Sequence, residues 1–342
     1  MQKFFVFTIF LYSLMFAQPY TDMLGRSVNI SSAEKLVFIG PGALRLGVYL
    51  GLEDRMVGIE KTENDASPLS PYRTFLGKER IAKLPLIGTG GPGKMPDLEA
   101  LIVLKPDLII ASFVDKNQIE LITSKTGIPV LSLSYGATYG GNEKQMWSIK
   151  NSLLLLGRVT QTLSRAEALV SFIGTQEQKL LSLKLPDKKV YIGGIGYKGV
   201  QGITSTEATY PPFEMIGLKN CVFEGKETLG HQFIELEALL KADPEIIFID
   251  MFGKEKVKEE YEAKKELFST LRAYQTHNVK EILGYNFYST NIENLLVIAW
   301  QIASLMGENI ELNHEATKIY KAFYGEKGVE LLGKLPYGIT PR

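Results

Sequence analysis

The chain has 342 residues, of which 45% are hydrophobic, and its formal net charge at pH 7 is zero. That length is enough for one large domain or for two smaller lobes, each with a core of its own. Nothing in the sequence resembles the basic stripe of clustered Lys and Arg that phosphate contacts require, so nucleic acid is not expected as a partner.

The first seventeen residues have the pattern of a signal peptide. Lys3 precedes an apolar run over 4–16, which at 1.5 Å per residue is too short to cross a bilayer comfortably. Ala17 is the predicted cleavage residue, and an uncleaved anchor is the alternative. Cys221 is the only cysteine, which excludes a lipid attachment site near the cut, a disulfide framework and a cysteine-based zinc site. We expect an exported periplasmic protein that is not a lipoprotein.

Residues 18–141 are predicted to form an N-terminal α/β lobe. Short apolar runs alternate there with helical patterns. The predicted strands are KLVFIG (35–40), RMVGIE (55–60), DLIIAS (107–112) and PVLSLS (129–134). Strands separated by helices in this way predict a parallel sheet with helices on its faces.

Residues 142–187 form a predicted helical region. Apolar residues recur at helical spacing on both sides of Gly157 without a strand between them. The second helix is predicted to begin near Ser164, an N-cap residue that is followed by Glu167 three positions later, and to end before Pro186. A helix of about 20 residues spans roughly 30 Å, which is long enough for a strut between two lobes.

Residues 188–342 are predicted to form a C-terminal α/β lobe. Alternation resumes with KKVYIGG (188–194) and EIIFID (245–250), and a charged helical stretch follows over 254–271. These runs predict a second parallel sheet with helices on its faces.

An internal repeat links the two predicted lobes. LEALIVLKPDLII (98–110) and LEALLKADPEIIF (236–248) align without a gap, 138 positions apart, and LGLEDRMV (50–57) matches IGLKNCVF (216–223) more faintly. Matching elements in the same order predict two similar lobes with a cleft between them. The alternative is that helix–turn–strand units converge on Leu, Pro and Ile.

Two glycine-rich segments imitate nucleotide-binding motifs. GTGGPGK (88–94) fits the phosphate loop, but Met95 and Pro96 stand where that loop needs a hydroxyl residue and a helix. GIGYKG (194–199) fits the dinucleotide fingerprint, but an irregular stretch follows it instead of a helix. The sequence also lacks a nucleophile elbow and paired histidines. We therefore expect no enzyme activity and no cofactor, with a two-lobed nucleotide-using enzyme as a distant alternative.

Tyrosines concentrate in the irregular segments that follow strands or precede helices. In open α/β sheets ligands bind beyond the carboxyl ends of the strands, and tyrosine offers a flat apolar face together with a hydroxyl. The candidate ligand-binding tyrosines are Tyr72, Tyr135, Tyr139, Tyr197, Tyr210, Tyr285 and Tyr288.

Two further residues are candidates for ligand contact. GPGALR (40–45) joins a strand to a helix start, where exposed N–H groups and Arg45 would favour an anion. The alternative is a plain glycine turn. His231 is either a ligand contact or a histidine that caps the next helix.

Five segments resemble the ABC-transporter solute-binding proteins of the ferric-siderophore and cobalamin class, and the resemblance covers about residues 20–310. The segments are TDMLGRSVNI (21–30), GLEDRMVGI (51–59), LEALIVLKPDLIIAS (98–112), SRAEALVSFIG (164–174) and LEALLKADPEIIFID (236–250). The resemblance implies the class III periplasmic binding protein fold, in which two Rossmann-like lobes with parallel sheets are bridged by one long α-helix. It also implies little closure when the ligand binds between the lobes.

The resemblance also implies a function. Siderophore binders of this class surround an anionic ferric complex with Arg, Tyr and sometimes His, and Arg45, Arg73, His231 and the tyrosines supply those types here. One glutamate on each lobe docks onto arginines of the permease, and Glu99 and Glu237 occupy matching places in the repeat; the alternative is that they are surface glutamates without a partner. We expect a monomer that delivers an iron complex to an inner-membrane permease with its ATPase. An oxyanion such as molybdate or tungstate, cobalamin and haem are the alternative ligands.

Overall fold

The computed structural model describes residues 18–64, 69–134 and 142–335. Within these ranges, no helix is both long enough and apolar enough to cross a membrane. The predicted signal peptide, residues 1–17, lies outside the described residues.

The N-terminal lobe contains an antiparallel hairpin and a three-stranded parallel sheet in the order β3-β4-β5. Its strands are β1 (Gln18–Thr21), β2 (Ser27–Ile30), β3 (Leu36–Ile39), β4 (Leu108–Ala111) and β5 (Val130–Ser132). Its helices are α1 (Ala43–Tyr49), α2 (Pro71–Leu76), α3 (Lys78–Lys83), α4 (Leu98–Leu104) and α5 (Lys116–Thr126), with 3-10 turns at Glu53–Arg55 and Lys61–Asn64. Every residue of the three parallel strands is buried, as expected for strands covered on both faces.

The predicted strand RMVGIE does not form a continuous strand. Met56 makes a single parallel bridge to Leu36, and Ile59 makes another to Leu86. A Cβ at Gly58, between them, would come 2.6 Å from Ile87. The segment therefore runs beside the sheet without extending it.

Two long helices follow the first lobe, α6 (Asn142–Val159) and α7 (Leu163–Leu181). The second has 19 residues and begins one position before Ser164, with Thr162 as an N-cap that makes no side-chain capping bond. Near its start, Arg165 donates to the carbonyl of Tyr49 at 3.1 Å. Near its end, Gln176 accepts from the Trp300 indole at 2.8 Å. The helix thus contacts elements from both parts of the chain.

The C-terminal lobe repeats the plan with a parallel sheet in the order β10-β9-β6 and a short antiparallel pair, β7 and β8. Its strands are β6 (Val190–Gly193), β7 (Ser205–Glu207), β8 (His231–Phe233), β9 (Ile246–Asp250) and β10 (Val279–Ile282). Its helices are α8 (Pro211–Met215), α9 (Leu236–Ala242), α10 (Lys254–Ala263), α11 (Lys265–Phe268), α12 (Arg272–Gln275), α13 (Ile292–Leu305), α14 (Leu312–Tyr324) and α15 (Lys327–Leu332), with a 3-10 turn at Cys221–Phe223.

The sequence repeat corresponds to one structural unit in each lobe. Helices α4 and α9 both end at a non-glycine residue with left-handed backbone, Lys105 (φ 48°) and Asp243 (φ 42°). The residue after the following proline then donates its N–H to the carbonyl just before the first parallel strand of its lobe, at 2.8 Å in both cases. Two equivalent α/β lobes therefore flank the helical region.

The last helices pack back onto the first lobe. Tyr49 at the end of α1 meets Phe323 of α14 edge to face, with ring centroids 4.7 Å apart. Tyr324 of α14 lies 5.3 Å from Phe75 of α2. The largest hydrophobic cluster consequently runs through elements of both lobes.

Candidate ligand-binding site

A cavity of about 550 Å³ opens between the two lobes, at the carboxyl ends of their parallel strands. The N-terminal lobe contributes Pro41 after β3 and Phe113 after β4. The C-terminal lobe contributes the segments that follow β6, β9 and β10. Ligands of open α/β sheets bind at this edge. Six aromatic side chains line the cavity: Phe113, Tyr197, Phe252, Tyr285, Phe287 and Tyr288.

Three of the seven candidate tyrosines lie on the cavity wall. They are Tyr197, Tyr285 and Tyr288, and all three come from the C-terminal lobe. Tyr135 and Tyr139 lie outside the described residues. The structure therefore brings together the tyrosines that follow strands β6 and β10.

Arg45 does not reach the cavity, because it is fully buried beneath the loop that carries Tyr288. Its guanidinium donates to the carbonyls of Phe287, Tyr288 and Thr290 at 2.8–3.0 Å, and its Nε donates to the Asn291 side chain at 2.9 Å. Tyr288 has a positive φ of 52°. Arg45 therefore holds this strained loop in place instead of offering its charge to a ligand.

The GPGALR loop also differs from the expected anion site. The N–H of Gly40 donates to the Glu60 carboxylate at 3.0 Å, so the protein supplies its own anion there. The Tyr288 hydroxyl donates to the same oxygen at 3.0 Å and accepts from the Gly91 N–H at 2.8 Å. Burial, followed by the charge of Glu63, raises the pKa of Glu60 to about 7.

Arg73 is the guanidinium that does line the cavity, and a buried carboxylate balances it. Its Nε donates to Glu63 at 2.6 Å, and Tyr72 donates to the same carboxylate oxygen at 2.6 Å. The guanidinium carbon lies 5.0 Å from the ring centre of Tyr288. Tyr72 is fully buried behind this pair, away from the wall.

The C-terminal wall carries a carboxyl group, Glu207, that is 9% exposed. Tyr285 donates its hydroxyl to Glu207 at 2.9 Å. Burial, followed by the charges of Asp250 and Glu214, raises the pKa of Glu207 to about 8. Burial also raises the pKa of Asp250 to about 7. Tyr210 is 1% exposed and lies behind the wall, with its ring 5.9 Å from that of Tyr285.

His231 lies against the cavity wall without lining it. Its ring stacks on Tyr197 with centroids 4.1 Å apart and planes 6° apart. Its Nε2 is 2.7 Å from the hydroxyl of Ser205, on the neighbouring strand β7. Burial lowers the pKa of His231, so the neutral ring is favoured. Among the described residues, no group of three or more His, Cys, Asp or Glu side chains is arranged to hold a metal ion.

Glu99 and Glu237 occupy equivalent and exposed positions. Each lies in the first turn of its helix, α4 or α9, where the N-terminal end of the dipole favours a carboxylate. Neither residue lines the interlobe cavity.

Several residues on the cavity wall or behind it were missed by reasoning from the sequence. Glu60 and Asp250 each end an apolar run, RMVGIE or EIIFID, and a carboxylate at the carboxyl end of a buried strand is a signal that could have identified both. Glu207 gives no such signal, because it lies in an irregular polar segment. Missed residues on the wall itself include Phe113, Gln145, Lys198, Phe252 and Phe287.

Comparisons with known proteins agree with the fold. A family model described as "Periplasmic binding protein" matches residues 37–284. No curated protein sequence matches the chain.

Solved structures share the architecture at low sequence identity. A periplasmic solute-binding protein from Veillonella parvula superimposes with a TM-score of 0.68 at 18% identity, over 92% of this chain and 96% of its own. The molybdate-binding protein MolA of Haemophilus influenzae, bound to molybdate, gives 0.66 at 17% identity over 90% and 98%. The catecholate-siderophore binding protein VctP of Vibrio cholerae gives 0.59 at 18% identity over 85% and 99%.

Proposed function

Because the chain belongs to the periplasmic binding protein family, which serves ABC transporters, we propose that it captures an iron complex of the ferric-siderophore type in the interlobe cavity. The loaded protein then delivers the complex to an inner-membrane permease with its ATPase. In this proposal it is exported by a cleavable signal peptide, acts as a monomer and carries out no catalysis.

The breadth and aromatic lining of the cavity carry the proposal. Six aromatic side chains surround about 550 Å³, and cavities of about 300–1,000 Å³ hold organic ligands of moderate size. A ferric chelate has an organic exterior that offers apolar surface and ring faces. Aromatic walls bind such surfaces through area and stacking.

An oxyanion is the second candidate, and the molybdate-bound structural relative favours it. A small anion needs several N–H groups and cations directed at one point. Here the Gly40 N–H is already directed at Glu60, and Arg73 is paired with Glu63. These contacts support the organic complex over the oxyanion. Haem and cobalamin also need a wide apolar cavity, so both are included as probes in the titration described below.

Docking on the permease is proposed to use Glu99 and Glu237. Each is an exposed carboxylate in the first turn of one of the two equivalent helices, α4 and α9. Two such charges, one on each lobe, would set the orientation and the rate of encounter with a basic surface.

The test is a calorimetric titration of the protein from Gln18 onward. The probes are a ferric trihydroxamate, a ferric catecholate, hemin, cyanocobalamin and molybdate. We expect sub-micromolar binding of a ferric complex that is weakened about tenfold or more by Phe252→Ala on the cavity wall. The control Phe172→Ala, on α7 outside the cavity, should leave the affinity unchanged. Binding of molybdate alone, or of hemin or cobalamin alone, would contradict the ferric-siderophore assignment and leave the transport role intact.

A further inference from the structure

The C-terminal wall of the cavity holds a carboxyl group without a positive partner. Glu207 lines the cavity and is 9% exposed. The Tyr285 hydroxyl bonds one of its oxygens. Within the described residues no Lys, Arg or His forms an ion pair with it, and the charges that act on it, those of Asp250 and Glu214, are both negative. Buried carboxylates normally have a cation or several N–H donors beside them.

The groups behind Glu207 are a second carboxyl and a tyrosine hydroxyl, and neither supplies a positive charge. Asp250 is 5% exposed and accepts from the Phe252 N–H at 2.8 Å. Tyr210 is 1% exposed, and its hydroxyl has no hydrogen-bond partner among the described residues. Burial, followed by the charges of Asp250 and Glu207, raises the pKa of Tyr210, and its ring lies 5.9 Å from that of Tyr285, the residue that donates to Glu207. On the cavity wall, the Oε1 of Gln145 is likewise buried without a donor within the described part of the chain.

The opposite wall does not have this imbalance. Glu63 is paired with Arg73, and Glu60 accepts from a backbone N–H and from Tyr288. On the C-terminal side, Lys198 is exposed, with its ammonium 5.4 Å from the ring centre of Tyr197, and within the described residues it forms no ion pair with Glu207. The missing positive charge is therefore localised at Glu207.

From this geometry we infer that the ligand carries a cationic nitrogen, a protonated amine or a guanidinium, which lies against Glu207 while the aromatic walls hold the remainder. The inference rests on the proposed function and narrows the ligand to a metal chelate with a free ammonium arm. The arm supplies the N–H donors and the positive charge that Glu207 lacks. A strongly anionic chelate would instead keep Glu207 in its protonated, neutral form and would form no charge pair at this wall.

A proton should leave when the cation binds. Burial and the charges of Asp250 and Glu214 raise the pKa of Glu207 to about 8, so at neutral pH its carboxyl is largely protonated in the empty cavity. The other titratable groups around it are Tyr285, which donates to it, and His231, which pairs with it across strands β7 and β8. A cation favours the ionised carboxylate and so displaces the proton. Calorimetry in buffers of different ionisation enthalpy should register this release for a cationic ligand.

The test uses two ferric trihydroxamates that differ in one group. Ferrioxamine B has a free ammonium arm, and its N-acetyl derivative has a neutral amide there. We expect wild-type protein to bind the ammonium form about tenfold or more tightly. Glu207→Gln should abolish this preference, because the amide cannot balance the charge, and the exposed control Glu227→Gln should retain it. The comparison of the two chelates on wild-type protein stays decisive even where the Glu207 variant fails to fold.

A second measurement separates this inference from the iron proposal. At millimolar concentration, 1,5-diaminopentane should raise the thermal unfolding midpoint of the wild type but not of Glu207→Gln, and 1,5-pentanediol should raise neither. Equal binding of both chelates overturns the cationic-arm inference and leaves the iron proposal standing. A Glu207-dependent effect of the diamine, without binding of either chelate or of the ferric catecholate, overturns the iron proposal and leaves the cationic-arm inference standing. If the diamine has no effect and no ferric complex binds, both proposals are overturned.

Discussion

At the scale of single residues, the cavity is shaped by a side chain that does not touch it. Arg45 is fully buried and donates to three carbonyls of the segment from Phe287 to Thr290. Leaving a buried carbonyl without a donor costs about 1–3 kcal/mol. The conformation of the loop that carries Tyr288 therefore depends on one guanidinium.

Arg45→Met should destabilise the fold and also weaken ligand binding. We expect a loss of at least about 3 kcal/mol in the free energy of unfolding, because several acceptors lose their donor together. Affinity for the ligand should fall about tenfold or more, because Tyr288 is released. Denaturant unfolding and calorimetric titration measure the two effects.

Arg165→Met is the matched control for this prediction. Arg165 also donates to backbone carbonyls, those of Tyr49, Ala322 and Phe323, and it lies outside the cavity wall. Its replacement should lower stability and leave affinity unchanged. Equal losses of affinity in both variants would mean that Arg45 acts only through global stability.

The buried carboxyl of Glu207 should make stability depend on pH. Its pKa is raised from the ordinary value of 4.5 to about 8 in the folded protein. Between these values the folded state binds more protons than the unfolded state, so its stability falls as the pH rises. Glu207→Gln keeps an acceptor for Tyr285 and carries no charge. It should therefore gain stability relative to the wild type as the pH rises, by up to about 4 kcal/mol near pH 8 and above.

Chemical denaturation at about pH 5 and at about pH 9 tests this sign directly. The exposed Glu227→Gln should show no gain that grows with pH. A wild-type protein that loses no stability between the two pH values would refute a raised pKa at Glu207. So would a Glu207→Gln variant that follows the wild type in parallel.

At the scale of elements, the two copies of the repeat share a backbone feature but not its environment. Lys105 and Asp243 both end their helix in the left-handed region, where a side chain costs about 1–2 kcal/mol. Asp243 offsets this cost, because its carboxylate accepts from the backbone and side chain of Arg272 at 2.9 and 3.2 Å. Lys105 is exposed.

Lys105→Gly should stabilise the protein by about 0.5 kcal/mol. Glycine relieves the backbone strain of the folded state, but it also increases the conformational entropy of the unfolded chain, which offsets part of the gain. Asp243→Gly should be neutral or lose about 1 kcal/mol, because the bonds to Arg272 disappear. Lys105→Ala, which removes the side chain without relieving the backbone, is the control and should give no gain. Free energies of unfolding, measured for the three variants and the wild type, test this ranking of stabilities. Equal gains from both glycine variants would contradict this explanation.

The elements were more predictable from the sequence than the site was. Continuous apolar runs gave β3, β4, β6 and β9, because strands buried on both faces leave a strong local signal. The segment at 55–60 has a similar apolar composition but makes only single bridges, to Leu36 and Leu86. Whether such a segment extends a sheet depends on the residues packed beside it in the fold, which its own sequence does not show. The partners of Arg45 lie more than 240 positions away in the chain. No local sequence pattern could therefore predict that Arg45 stabilises a loop and does not contact a ligand.

At the scale of the whole molecule, the two exposed glutamates of the repeat stand as a pair on different lobes. Glu99→Lys with Glu237→Lys should leave ligand affinity unchanged, because neither residue lines the cavity. Uptake through the permease should fall strongly, and in the wild type the encounter should weaken with salt. Growth on the complex as sole iron source, together with titration of the purified protein, measures both effects.

The control for this double variant carries the same charge change elsewhere. Glu79 and Glu255 are also exposed glutamates in the first turns of helices, α3 in one lobe and α10 in the other. Their reversal to Lys incurs a similar penalty from the helix dipole. Uptake should stay normal in this control. Normal uptake in the Glu99 and Glu237 variant would remove the docking proposal.

Buried contacts between the lobes oppose large domain motion. Tyr49 of α1 and Tyr324 of α14 both donate to the fully buried Glu293 at the start of α13. Tyr288 of the C-terminal lobe bonds Glu60 of the N-terminal lobe beside the cavity. A hinge motion that closed the cavity would have to break such bonds in a dry environment, where they are costly to lose.

Ligand binding should therefore change the shape of the molecule very little. Small-angle scattering of wild-type protein should give the same radius of gyration with and without saturating ligand. In Arg45→Met the contacts across α1 are loosened, so the same ligand should produce a larger contraction. A wild-type contraction of the size produced by hinge closure in other binding proteins would show that these buried bonds rearrange on binding. The wide cavity would then have to be read as the open state of a closing site, and its breadth would no longer argue for a large organic ligand.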